Sequence, residues 1–124
     1  MKQYQEEAKE KWGDTQAYQT SEDRTANYTQ AQWAEIQGKM DAIMLTFARY
    51  SQEGLAPDSL PVQAMVAQWQ QFLTQYYYDC TDEILGALGR MYDADPRFRE
   101  NINRYGPGTA ELLSAGIGIF VEKK

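Results

Sequence analysis

Histidine is absent from the sequence, and this absence narrows the chemistry that the chain can perform. Histidine is the commonest general base near neutral pH, the commonest ligand of zinc and the usual proximal ligand of haem iron. Catalysis would have to rely on carboxylates, tyrosines, lysines or one cysteine. We therefore expect a binding protein rather than an enzyme, with no catalytic residue, no metal ion and no cofactor.

Cysteine, clustered basic residues and long apolar runs are also scarce. The single thiol, Cys80, excludes an internal disulfide and is typical of a reducing compartment. The 12 Lys and Arg residues are scattered among 18 Asp and Glu residues, whereas phosphate binding needs clustered cations. The sequence has no signal-like N-terminal stretch and no apolar run of about 18 residues. We expect a cytoplasmic chain that contacts neither a membrane nor, through this segment, nucleic acid.

Aromatic residues, and residues that typically begin or end helices, are by contrast abundant. The 124 residues, the length of one domain, include nine Tyr, four Phe and three Trp, enough to line a cavity as well as fill a core. No alternating β pattern of useful length appears, so the predicted class is all-α. Caps, glycines and prolines predict seven helices: 2–12, 15–27, one between Thr29 and Gly54, one from the cap Ser59 to about Tyr76, one from Asp79 or Thr81 to about Tyr92, 96–104, and roughly 108–121.

Apolar residues recur at the spacing of a helix after Thr29 but are few before it. Thr29 and Gln32 fit a capping box, and apolar residues follow at spacings of three and four, with Trp33 and later Trp69 interpreted as core. The N-terminal stretch has few apolar anchors, and helices this short are marginal in water without packing partners. We therefore predict that residues 1–28 are weakly ordered and that residues 29–124 form a stable core.

Several candidate reactive groups have a simple structural interpretation. Glu6, Glu7 and Glu10 are better explained by a solvated helix face with neighbouring lysines than by metal binding. Cys80 lies near a predicted helix N-terminus, where a thiol can become nucleophilic. The aspartates on either side disfavour the thiolate, so a buried structural cysteine is the favoured interpretation.

The helix after Cys80 carries a second ambiguous pattern. Ile84, Ala87 and Met91 share one helical face with Cys80 and Glu83. The small residues Gly86, Ala87 and Gly89 are explained either by close helix packing or by room left for a ligand. Before this helix, the run Tyr76–Tyr78 points in three directions, so at least one of these rings is expected to be exposed or to line a cleft.

Four segments carry a resemblance to a known family. They are YQEEAKEKWGD at 4–14, YYDC at 77–80, LGRMYDADPRF at 88–98 and YGPGTAELL at 105–113. In this order they resemble the TipAS antibiotic-recognition domain, and the resemblance extends over nearly the whole chain. The sequence is therefore identified as a single TipAS-type ligand-binding domain, 1–124.

The resemblance implies a fold and a function. The fold is an all-helical, globin-like arrangement without haem, found as the C-terminal half of MerR-type transcriptional activators. The N-terminal helices of this domain are mobile until a ligand orders them. The function is recognition of a thiopeptide or another bulky antibiotic in a groove, with DNA bound by a separate domain. Together with helical phase, it implies ligand contacts at Trp12, Tyr18, Tyr77, Asp79, Ile84, Ala87 and Met91.

One departure from the family bears on mechanism. In its founding member, a cysteine two helical turns beyond the Tyr-Asp-Cys motif captures the dehydroamino acid of thiopeptides covalently. That position is Ala87 here, so reversible binding is expected. Two alternatives stay open: a stand-alone protein that sequesters antibiotic, and a helical domain that binds another protein.

Overall fold

The computed structural model describes residues 25–123, and every regular element in that range is a helix. The five helices are α1 Gln30–Gln52, α2 Leu60–Tyr76, α3 Asp82–Ala94, α4 Pro96–Asn103 and α5 Thr109–Glu122. They confirm the all-α class and agree with the predicted bounds to within about two residues. The predicted helix 2–12, most of 15–27, and the predicted mobility up to residue 24 lie outside the described residues. Ala26 and Asn27 form a turn rather than the end of the second predicted helix.

Side-chain caps define where three of these helices begin. The capping box of α1 is present: Gln32 N donates to Thr29 Oγ1 at 3.1 Å and Thr29 N donates to Gln32 Oε1 at 2.8 Å. Thr81, rather than Asp79, caps α3 by accepting from Ile84 N at 3.2 Å. Asp95 accepts from the backbone N of the second residue of α4 at 3.0 Å. Each cap satisfies a donor that the helix leaves unpaired and contributes about 1 kcal/mol.

Ser59 does not cap α2 with its side chain, although it occupies the N-cap position. Its hydroxyl instead donates to the carbonyl of Ala56 at 2.6 Å and closes the turn that follows Pro57. Gly54 and Gly108 have φ of +75° and +82°, the left-handed region that glycine enters without steric cost. Gly54 therefore ends α1 as predicted, and Gly108 reverses the chain directly before α5.

Helix α5 lies at the centre and packs against each of the other four helices. Its side chains Leu113 and Ile117 are fully buried, as are Phe47 of α1 and Val62 of α2. At the α3–α5 contact, a Cβ on Gly89 would lie 2.7 Å from Ile117 Cγ2, closer than carbon atoms can approach. Gly89 is therefore explained by close helix packing, and the alternative that it leaves room for a ligand is wrong.

Some residues that lie on the predicted apolar faces of the helices are only partly buried. Trp69 is buried as expected, at 4% exposure, and Phe72 beside it is buried at 5%, but Trp33 is only partly buried. Ile84 and Met91, whose spacing also fits the core side of their helix, are likewise only partly buried. Among residues 25–123, no helix is long and apolar enough to cross a membrane.

Candidate functional site

A cluster of aromatic rings joins the start of α1 to the end of α2. This aromatic cluster consists of Tyr28, Trp33, Phe72, Tyr76 and Tyr77. Tyr28 meets Trp33 edge-to-face with 5.3 Å between ring centroids, and Trp33 lies 6.3 Å from Tyr77. Phe72 lies 5.3 Å from Tyr76 and 6.1 Å from Tyr77. These separations are typical of favourable aromatic pairs, so the rings form one continuous, partly exposed wall.

Local sequence positions explain how the cluster forms. Tyr28 precedes the N-cap Thr29 and Trp33 is the fourth residue of α1, the two positions of a hydrophobic staple. The Tyr28 hydroxyl donates to the carbonyl of Tyr76 at 2.7 Å and satisfies a carbonyl in the last turn of α2. Lys39 lies over the Tyr76 ring, with its Nζ 5.1 Å from the centroid. The end of α2 is therefore tied to α1 by two independent contacts.

The three consecutive tyrosines point in different directions, as their helical spacing predicts. Tyr76 faces Lys39 and Tyr77 faces Trp33, whereas Tyr78 lies near the buried Tyr92. All three are half-buried, so each ring leaves part of its surface open. Burial raises the pKa of Tyr77 and of Tyr78, and both hydroxyls therefore stay protonated near neutral pH.

Helix α3 has one face that no other described helix covers fully. Ile84, Ala87 and Met91, which we name the α3 face, are partly exposed, whereas Leu85 and Tyr92 on the opposite side are buried. The spacing of three and four residues that predicted this face is confirmed for these three side chains. The three side chains are apolar, and Ala87, the smallest, lies between the other two along the helix.

Cys80 does not share that face. It is buried at 5% exposure, and its backbone carbonyl accepts from Gln70 Nε2 at 2.9 Å. Burial, and then the charge of Asp82, raises the pKa of the thiol to about 12. The thiol is therefore protonated near neutral pH, in agreement with a structural cysteine rather than a nucleophile.

An open depression of about 610 Å³ lies where α3 meets α4. It is lined by Arg90, Met91, Ala94, Asp95, Pro96 and Arg97. Met91 therefore belongs both to the α3 face and to this depression. The sequence analysis did not predict the two arginines, because an isolated charged residue on a helix is normally solvated and carries no signal of a site.

The predicted contact residues divide among three places. Trp12 and Tyr18 lie outside the described residues. Tyr77 lies in the aromatic cluster, and Asp79 is exposed in the connection between α2 and α3. The last three residues form the α3 face. Residues 25–123 contain no group of three or more His, Cys, Asp and Glu side chains placed to hold a metal ion.

Sequence reasoning missed most of the aromatic cluster. Trp33 was assigned to the core by its apolar period, which does not distinguish a fully buried ring from a half-buried one. A usable signal did exist, because Tyr28 and Trp33 flank the capping box at the positions of a hydrophobic staple. Applied to the sequence, that rule would have placed Tyr28 against α1.

Comparison with known proteins shows the family of the chain. Residues 4–120 match the model of a family described as the TipAS antibiotic-recognition domain. The HTH-type transcriptional activator TipA of Streptomyces coelicolor is 36% identical over 115 residues, which cover 93% of this chain and 46% of TipA. The HTH-type transcriptional activator mta of Bacillus subtilis is 35% identical over 119 residues, 96% of this chain and 45% of mta. The chain thus spans about half the length of these relatives.

A solved structure is similar over almost the whole chain. It is TipAS from Streptomyces lividans in complex with nosiheptide, described as part of a thiopeptide antibiotic multidrug resistance system. The match has a TM-score of 0.89 and 34% sequence identity, and it covers 98% of this chain and 85% of the other. The matched family model, the two relatives and this structure together show that the chain belongs to the TipAS antibiotic-recognition domain family.

Proposed function

We propose that this chain is the effector-binding domain of a drug-responsive transcriptional activator and that it binds a bulky hydrophobic antibiotic such as a thiopeptide. The observation that carries the proposal is the similarity, across 98% of the chain, to a TipAS structure that holds the thiopeptide nosiheptide. The TipA and mta relatives are named as HTH-type transcriptional activators, which supports a sensor role. Under this proposal the chain performs no catalysis and acts in the cytoplasm.

The geometry of the described residues suits a large ligand with flat apolar surfaces. The aromatic cluster offers half-buried rings, and aromatic rings give much contact area for little loss of side-chain entropy. The α3 face offers an apolar surface with Ala87 at its centre. We propose Tyr77, Asp79, Ile84, Ala87 and Met91 as contacts, joined by Trp12 and Tyr18 from the preceding segment.

The proposed signal is a shift in conformational population. A ligand that binds one arrangement of the domain more tightly than another favours that arrangement by its differential affinity. In a full-length activator, the favoured arrangement would be reported to a separate DNA-binding domain. The globin-like arrangement of about seven helices, with its N-terminal helices ordered by ligand, is part of the same proposal.

The test is thermal unfolding of the purified chain against nosiheptide and a panel of chemically different hydrophobic antibiotics. A ligand that binds only the folded state stabilises it by about 2.7 kcal/mol at 100 times its Kd. We expect a clear increase in the unfolding midpoint with at least one thiopeptide. If no compound raises the midpoint, the proposal is wrong and a protein partner becomes the better explanation of the aromatic surface.

The proposed binding mode is non-covalent, because the only thiol is buried and protonated. Intact mass of the chain after incubation with nosiheptide should therefore match the free protein. The Ala87→Cys variant tests the register of the α3 face. If Ala87 occupies the capture position, the new thiol adds across the dehydroamino acid: a C–S bond forms, the C=C bond becomes single and the thiol proton moves to the adjacent carbon. A covalent adduct is then expected for this variant alone.

Met91→Cys is the matched control, since it places a thiol one turn further along the same face. An adduct with Met91→Cys but not with Ala87→Cys would shift the proposed register by one turn. Adduct formation by the wild-type chain would contradict reversible binding and the protected state of Cys80.

A further inference from the structure

The connection between α2 and α3, residues 77–81, separates the two surfaces that the proposed ligand would contact. The aromatic cluster ends at Tyr77, and the α3 face begins at Ile84. Helices α2 and α3 each pack on α5, but few of their residues come close to each other. The separation of the two surfaces therefore depends on how this connection is held.

Cys80 is the point at which the connection is fixed to α2. Its backbone N donates to Thr74 Oγ1 at 3.1 Å, and its backbone carbonyl accepts from Gln70 Nε2 at 2.9 Å. Gln70 and Thr74 lie four residues apart on α2, so their side chains lie on one face of that helix. Both backbone polar groups of a buried residue are thus satisfied by one helix face, which holds that residue in place.

Gln70 also reaches the first residue of α3. Its Nε2 donates a second hydrogen bond, to Asp82 Oδ1 at 2.9 Å. Both partners are acceptors, so only the amide nitrogen can face them, and the two bonds use both of its N–H groups. The bond to the carboxylate is charge-assisted and therefore the stronger of the two. One nitrogen atom of Gln70 thus joins α2, the connection and the start of α3.

We propose that Gln70 is a positioning residue of the ligand site, which holds the aromatic cluster and the α3 face at the separation that lets one ligand contact both. The inference rests on the proposed function, because these two surfaces are the proposed ligand contacts. Gln70 itself does not touch the ligand. A site that is already held in its bound arrangement loses less conformational entropy on binding, so loss of the two bonds weakens binding although every contact residue is still present.

The experiment replaces Gln70 by glutamate, which has the same shape but no donor when it is ionised. At about pH 8 the new carboxylate would face the carbonyl of Cys80 and the carboxylate of Asp82, so both hydrogen bonds are lost and like charges repel. We expect isothermal titration calorimetry to show that Gln70→Glu binds nosiheptide about tenfold more weakly than the wild-type chain.

A change of pH distinguishes this role from a general loss of stability. Partial burial and the charge of Asp82 should raise the pKa of the new carboxyl above the usual value for glutamate. At about pH 5 the protonated carboxyl regains one donor, and the tenfold deficit should shrink to about threefold. The wild-type chain, measured at both pH values, accounts for the other titrating groups, and the thiol of Cys80, with a pKa of about 12, stays protonated at both.

Gln71→Glu is the matched control, because Gln71 is exposed on the same helix and the substitution adds the same charge. It should bind nosiheptide like the wild-type chain at both pH values. Equal affinity of Gln70→Glu and Gln71→Glu at about pH 8, or a deficit of Gln70→Glu that does not change with pH, would overturn the inference. If Gln70→Glu does not fold, Gln70→Met removes the donors without adding charge, and wild-type affinity in that variant overturns it instead.

Hydrogen exchange of the free chain separates this failure from failure of the proposed function. The inference predicts faster exchange over residues 77–84 in Gln70→Glu than in the wild-type chain at the same pH. Nosiheptide binding with unaltered affinity in the variant would overturn the role of Gln70 and leave the antibiotic-binding proposal standing. If the wild-type chain does not bind nosiheptide, the thiopeptide proposal fails. Faster exchange in the variant then supports the positioning role of Gln70, and unchanged exchange overturns it.

Discussion

The two sides of α3 differ in what covers them. On one side Leu85 is fully buried, and Gly89 lies against Ile117 of α5 so closely that no side chain fits between the helices. On the other side the α3 face, Ile84, Ala87 and Met91, is equally apolar but only partly buried. Hydrophobicity therefore does not distinguish the two sides of α3; among residues 25–123, what differs is whether a neighbouring helix covers them.

Substitutions on the two sides of α3 should have different consequences. Changes at the α3–α5 contact should alter the free energy of unfolding, because close-packed interiors cannot absorb a change in volume. Changes on the α3 face should alter ligand affinity with little effect on stability, since a partly exposed side chain has fewer packed neighbours to lose.

The largest expected effect is that of Leu113→Ala, which empties a fully buried position of α5. Loss of a buried leucine side chain costs about 2–5 kcal/mol, through lost apolar burial and the cavity left behind. The same substitution at Leu60, which is 86% exposed, is the matched control and should change stability by less than about 0.5 kcal/mol. Chemical denaturation measures both, and equal losses would contradict the assignment of the core.

Gly89→Ala tests how closely α3 and α5 pack at their contact. The added Cβ would lie 2.7 Å from Ile117 Cγ2, and overpacking of this kind costs about 1–3 kcal/mol. Alanine also favours the helix by about 1 kcal/mol over glycine, so a net loss of up to about 2 kcal/mol is expected.

Gly38→Ala is the control for this loss, because a Cβ at Gly38 would meet nothing within 4 Å. It should stabilise the protein by up to about 1 kcal/mol through helix propensity alone. If thermal unfolding shows Gly89→Ala to be as stabilising as Gly38→Ala, the two helices are further apart than described here.

The smallest expected effect comes from a polar contact at the surface. Burial opposes ionisation of Glu111, but hydrogen bonds from its own backbone amide, Arg99 and Asn103 outweigh it and lower the pKa of the carboxyl below 4.5. A carboxylate with a lowered pKa stabilises the folded state above its unfolded pKa, and this stability is lost as the pH falls through the folded pKa.

Glu111→Gln should therefore cost less than about 1 kcal/mol at neutral pH, the usual value for an exposed ion pair. In urea denaturation, the difference from wild type should shrink as the pH falls through the lowered folded-state pKa of Glu111, because the wild-type carboxyl then becomes protonated as well. A difference that is as large in acid as at neutral pH would show that packing, rather than charge, accounts for the effect.

Much of the fold followed from local chemistry in the sequence. The capping box at Thr29 and the stop at Gly54 were predicted because each depends on residues within one helical turn. Ser59 was predicted to cap α2, but its hydroxyl donates to the carbonyl of Ala56 instead. A hydroxyl both donates and accepts, and the sequence does not show which partner is within reach.

The site was less predictable for a physical reason. Helical spacing places Ile84, Ala87 and Met91 on one face, but it does not say which helix covers which face. The role of Gly89 became clear only when Ile117 of α5, 28 positions further along the chain, was seen against it.

The proposal that ligand binds on the α3 face is tested by hydrogen exchange of the chain with and without nosiheptide, followed by mass spectrometry. We expect added protection in peptides that cover residues 72–91, which contain Tyr77 and the α3 face. Protection of α5 should change little, because its contacts with α3 are already complete in the free chain. Protection confined to α5 or to the middle of α1, with residues 72–91 unchanged, would contradict the claim that the uncovered side of α3 is the recognition surface.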